Sequence, residues 1–206
     1  MNRFCLLIAA TAVASLAACS TVMPTAQSGF LSDYTALAQP SDDASAGRAS
    51  ADPIDPARVS IDAVTWRVTS SVDISTDERD ALLTQLHGEL QRRVRALPAQ
   101  PQGRPAVLRA AITRVETVSP ALNALSALLL TVPLDRGGAA VEIEAVDPQT
   151  GRQLAALTQG YFAPLSELKA RFSKLAPAEI AVRKAAADFV PLLQPVSDAG
   201  KKTALR

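Results

Sequence analysis

The sequence predicts an α+β fold, a two-layer α/β sandwich whose mixed or antiparallel sheet has about four strands and carries its helices on one face. Three observations lead there. Leu82, Leu86, Leu90, Val94 and Leu97 recur at three- and four-residue steps, the mark of an amphipathic helix. Val141, Ile143 and Ala145 alternate with Glu142 and Glu144, the mark of a strand. A second apolar segment follows beyond "PQTG", so the two make a hairpin. Hairpins with helices gathered to one side are stable as two packed layers.

Each element has its own local reason. "RVSIDAVTWRVTSS", from Arg58, is β-branched and aromatic, with Val64, Trp66 and Val68 alternating, and reads as the first strand. Ser75 stands three residues before Glu78, the spacing of a capping box, so a helix starts at about Thr76. It stops before Pro98, and Arg79, Glu89, Arg92, Arg93 and Arg95 form its outer side. "PAQPQGRP" is a loop, and residues 106–119 form the second strand. Residues 120–133, "PALNALSALLLTVP", are apolar and uncharged, too short for a membrane span, and read as a buried or semi-buried helix. "RGGAA" at 136–140 starts the next strand. "GAAVEIEAVD" and "RQLAALTQGYF" form the hairpin, with Gly151 in its turn. Residues 164–193 hold two helical stretches. Pro177 suits the first turn of the second, whose apolar side includes Ile180, Val182, Ala185, Ala186, Phe189 and Leu193.

The beginning of the chain is of another kind. Arg3 is followed by an apolar run from Phe4 to Ala14 and then Ser15-Leu16-Ala17-Ala18-Cys19. A charged start, a short apolar core and small residues at a cleavage site describe a secretory signal. Leu-Ala-Ala-Cys resembles the lipobox of bacterial lipoproteins. That resemblance implies lipidation of Cys19 after cleavage at Ala18, with acyl chains such as palmitate, and two or more chains hold a protein stably on a membrane. By resemblance to the enterobacterial sorting rule, in which an Asp after the lipidated cysteine retains such proteins at the inner membrane, Ser20 favours the outer membrane over the inner one, with the domain in the periplasm.

The expected organisation is a signal peptide over 1–18, a lipidated and mostly irregular spacer over 19–56, one α+β domain over 57–195 and a disordered tail over 196–206. Within the spacer, "SGFLSDYTAL" at 28–37 places Phe30, Leu31, Tyr34 and Leu37 at helix-like spacing and reads as a segment that docks onto the domain. Of the 21 basic residues only Arg3 precedes Cys19, so the remainder carries 20 basic against 20 acidic side chains. That balance gives no electrostatic footprint for nucleic acid. Cys5 leaves with the signal and Cys19 is alkylated, which leaves neither a thiol nor a disulfide.

Three stretches, "SGFLSDYTAL", "LRAAITRVETVSPALNALSALL" and "GGAAVEIEAVDPQTGRQLAA", in this order after a lipobox, resemble a family of bacterial lipoproteins named as a domain of unknown function (DUF3313). The likeness runs from Ser28 to about Phe189 and implies location and fold more than activity.

Catalytic sets are sparse. The single histidine, His87, lies on the flank of the leucine stripe, no Gly-x-Ser-x-Gly elbow is present, and Cys and His are too few for a zinc site. No catalytic residue, metal site or cofactor is predicted. Glu142 and Glu144 share one face of a strand, and paired acids can cleave glycans, yet alternation of this sort ordinarily marks a solvent face. Residues 120–133 either pack in the core or present a surface, with Asn123, Leu125, Leu128 and Leu129 as the binding residues. The expectation is therefore a non-enzymatic envelope lipoprotein, bound to the membrane by its acyl chains, whose domain binds an envelope protein or itself. A small-ligand or lipid-binding module is the alternative, and a glycan hydrolase the weaker one.

Overall fold

The computed structural model describes residues 21–35, 37, 45–48, 52–130 and 135–195. The lipidation candidate Cys19, the signal segment and the tail from residue 196 lie outside the described residues.

The fold is the α+β sandwich. Its strands are β1 (Ser45–Arg48), β2 (Ile54–Ile61), β3 (Thr65–Trp66), β4 (Arg104–Glu116), β5 (Gly138–Val146) and β6 (Gln153–Phe162). The sheet runs β1-β6-β5-β4-β2, with β3 continuing the β2 edge along β4. β2 and β3 are parallel to β4, and the other pairs are antiparallel. The sheet is thus five strands wide rather than four. The extra width comes from β1, and both β1 and the start of β2 fall in the stretch that composition alone reads as irregular.

Helices α1 (Thr76–Arg95) and α3 (Ala176–Phe189) cover one face. Ser75 Oγ accepts from Glu78 N and the Glu78 carboxylate accepts from Ser75 N, which completes the predicted capping box. Leu82, Leu86, Leu90 and Val94 of α1 are buried against Val182, Ala186 and Phe189 of α3 and against Leu108, Ile112, Val141 and Ile143 of the sheet. The small residues Ala178, Ala181, Ala185 and Ala186 let α3 lie close to the sheet. Between β5 and β6, Gly151 has φ 68°, the left-handed turn geometry that glycine adopts without strain. Asp147 accepts from the backbone of Gln149 and Thr150, then from Arg104; these bonds hold its carboxyl below the usual carboxylate range.

The opposite face of the sheet is covered in part by the start of the described chain. Residues 21–23 run beside the end of β6: Phe162 N donates to Thr21 O (2.8 Å), Met23 N to Gly160 O (3.2 Å), and Val22 bridges Tyr161. A Cβ on Gly160 would stand 2.1 Å from Met23 O, so this approach requires glycine. The chain then crosses β5 as a strap, with Phe30 and Leu31 set against Ala111 and Ala156.

Candidate functional site

Two features of this chain stand apart from ordinary packing. One is the polar lock beneath the strap. The other is a helix built inside out.

The lock follows from the period of two along β5. Val141, Ile143 and Ala145 face the helices, so Glu142 and Glu144 face the strap. The sequence reading put these glutamates on a solvent face; they are 2% and 0% exposed. Of their cross-strand neighbours, Ala111, Ala156 and Thr158 are small and leave room for the strap, and the fourth, Arg109, stands opposite Glu144. Glu142 accepts from Ser28 N (2.9 Å), Ser28 Oγ (2.6 Å) and Tyr34 Oη (2.6 Å). Glu144 accepts from Ser32 N, Ser32 Oγ and Gln153 Nε2 and pairs with Arg109 at 3.3 Å. Arg109 also stacks over Phe30, its guanidinium carbon 5.4 Å from the ring centre.

A buried carboxylate is costly unless charge and hydrogen bonds replace its water, and the strap supplies most of these donors. Burial, and next the bond to Glu142, raise the Tyr34 hydroxyl above its ordinary pKa. Both carboxyl groups are buried and bonded to the strap. The arrangement fastens a strap, which is what the geometry equips it to do.

The second feature is helix α2 (Pro120–Leu130). Its start is fixed by Leu122 N donating to Ser119 Oγ and Ser119 N donating to Asp135 Oδ2. Its inner side is polar. Asn123 is 0% exposed; its Nδ2 donates to Asp135 O (3.1 Å) and Arg171 O (2.7 Å), and its Oδ1 accepts from Asp135 N (2.7 Å). Ser126, three residues on, is buried beside it and donates to Asn123 O. Its outer side is leucine: Leu122, Leu125, Leu128, Leu129 and Leu130 are all exposed, Leu128 by 79%. The helix contains no charged residue.

Of the four binding candidates, Leu125, Leu128 and Leu129 therefore lie together on an open surface. Asn123 does not belong to that surface; every polar atom of its side chain is used to hold the helix down. The alternative of core packing for this segment is likewise corrected. The buried side of the helix is its polar side because the groups it meets are backbone atoms of Asp135 and Arg171, which require hydrogen bonds.

α2 rests on a 3-10 segment (Leu165–Phe172) whose Phe172 is also exposed. Arg171 of that segment is buried and donates to Ala163 O (3.1 Å), and burial, with Arg136 nearby, lowers its pKa. Arg136 stacks over Phe162, 4.8 Å from the ring centre. These contacts join α2 to the end of β6 where Thr21 is held.

Clefts open among the described residues. One of about 680 Å³ lies between the strap and the end of β4 and is lined in part by Thr25, Ser28, Arg67 and Arg114. Another, about 440 Å³, lies at α1, where half-buried His87 stands near Asp80 and Thr84. A third, about 310 Å³, lies beside Trp66 and Arg79. Among the described residues no group of Cys, His, Asp and Glu side chains could hold a metal ion, and no helix is long and apolar enough to cross a membrane.

Sequence reasoning missed the lock. The available signal was the four-residue spacing of Ser28 and Ser32 against the two-residue spacing of Glu142 and Glu144, but nothing local links segments more than 100 residues apart.

Comparison with known proteins gives a family and little else. Residues 26–189 match the family described as a protein of unknown function (DUF3313). No curated protein matches the sequence. Among solved structures, the PelC dodecamer from Paraburkholderia phytofirmans is 12% identical with a TM-score of 0.45, over 72% of this chain and 98% of that one. A point variant of the same dodecamer is 12% identical with a TM-score of 0.41, over 74% and 99%.

Proposed function

The chain belongs to the DUF3313 family of proteins of unknown function, and from that premise we propose that it is a lipid-anchored accessory domain of the bacterial cell envelope, attached to the outer membrane through Cys19, which works by binding rather than by catalysis. One observation carries the reading: the leucine face of α2, held outward by the buried Asn123 and Ser126. A contiguous apolar surface of this kind marks an interaction site rather than a surface meant for water. The 11-residue helix spends its buried side chains Asn123 and Ser126 on polar contacts and leaves five leucines in solvent, and covering those leucines would add the free energy of apolar burial.

Two further facts support it. The acidic pair that a hydrolase would need is enclosed under the strap, bonded to Ser28, Ser32, Tyr34 and Gln153 and paired with Arg109. The Leu-Ala-Ala-Cys segment after an apolar run supplies the anchor.

The test is photo-cross-linking in intact cells, with a photoreactive residue at Leu125 and, as a control, at Gln149 on the β5–β6 turn. Adducts to a lipid or a protein from Leu125 alone are the expected result; none from either position contradicts the reading. The anchor is tested separately by Cys19→Ala, which should remove the incorporated fatty-acid label.

A further inference from the structure

We infer that the leucine face of α2 is covered by the lipid bilayer that holds the acylated Cys19, so that the domain lies against the membrane with α2 in the boundary between headgroups and acyl chains. The inference rests on the lipid-anchor reading and names the occupant of its binding surface.

The argument begins with where the tether leaves the domain. Thr21 is only two residues beyond Cys19, and its carbonyl is fixed by Phe162 N at 2.8 Å. Two residues reach about 7 Å at most. The end of β6 is therefore held at the membrane surface with no spacer between them, because residues 21–23 belong to the edge of the sheet and the strap that follows lies on the domain.

α2 is at that same end. From Thr21 the path runs through Phe162 to Ala163, whose carbonyl accepts from Arg171 Nη2 and whose N–H donates to Gly137 O. Arg171 O and the backbone of Asp135 are the groups that Asn123 holds. A tether that brings Phe162 to the bilayer brings the leucines with it.

The chemistry of the helix fits an interface and not a span. Eleven residues at 1.5 Å each give about 16 Å, roughly half the hydrocarbon thickness. With no charge of its own, the helix gains from the bilayer by apolar burial alone. The acyl chains on Cys19 hold the chain at the membrane, and the helix adds apolar burial that fixes how the domain lies there. The exposed Phe172, on the segment beneath α2, extends the apolar surface.

The experiment uses the full lipidated chain in vesicles of phosphatidylethanolamine with a minor share of phosphatidylglycerol. An environment-sensitive fluorophore is attached at Leu128→Cys or, on the far side of the domain, at Gln149→Cys. The inference predicts blue-shifted emission at position 128 that is quenched several-fold by lipids brominated on their acyl chains, and water-like, unquenched emission at 149. Water-like emission at 128 overturns it. So does blue-shifted emission that bromolipids leave unquenched and that fades on dilution, which would mean that a second copy covers the leucines; the binding-surface reading would then survive. Loss of the anchor reading is read independently, from the mass of the N-terminal peptide: an unacylated Cys19 overturns both.

Discussion

α1 and α2 are both leucine-rich, and they are built with opposite polarity. α1 buries Leu82, Leu86 and Leu90 and turns arginines and acids to solvent. α2 buries Asn123 and Ser126 and turns its leucines to solvent. α1 is bordered by an apolar sheet face and by α3, so its burial is driven by removal of hydrocarbon from water. α2 is bordered by backbone groups of Asp135 and Arg171, so it is held by hydrogen bonds and leaves its hydrocarbon unsatisfied. Stability of the domain belongs to the first helix, and readiness to bind belongs to the second.

Substitutions should separate the two. Leu86→Ala leaves a cavity between α1 and the sheet and should cost about 3 kcal/mol of unfolding free energy in denaturant titration. Asn123→Ala strips the groups that anchor α2 and should cost about 2 kcal/mol, with faster hydrogen exchange along α2 and no change along α1. Ser75→Ala removes the capping box of α1 and should cost about 1 kcal/mol. At the small end, Leu128→Ser should change stability by no more than about 0.5 kcal/mol while loosening the contact of α2 with the membrane; a loss like that of Leu86→Ala would erase the contrast.

A pH titration sharpens the same contrast on the strap face. The Tyr34 hydroxyl is raised above its ordinary pKa, so its contribution is fully present below that ordinary value and is lost as pH rises through the raised one. Alkaline solution should loosen the strap, seen as faster exchange at Phe30 and Leu31, and Tyr34→Phe should abolish that alkaline step.

How much of this was legible depended on charge. α1 was readable to within two residues at its end because arginines marked its outer side and Ser75 and Glu78 marked its start. α2 had no charged residue to tell outside from inside, so periodicity could place a helix there but could not orient it. The hairpin was legible from alternation, yet Glu142 and Glu144 were misplaced, since a local pattern reports that a face is polar and not what covers it. What covers it is a strap more than 100 residues earlier, in a segment whose composition resembles a spacer. The same long-range closure hid β1, whose four residues form a strand only because β6 is there to pair with them.

The most direct test of the central claim, that the leucine face of α2 is covered in the envelope, is thiol labelling in isolated outer membranes. Leu128→Cys and Gln149→Cys variants are treated with a water-soluble maleimide, before and after denaturation. The account predicts that position 149 labels in both states and position 128 only after denaturation. Equal labelling of the two positions in intact membranes would contradict it.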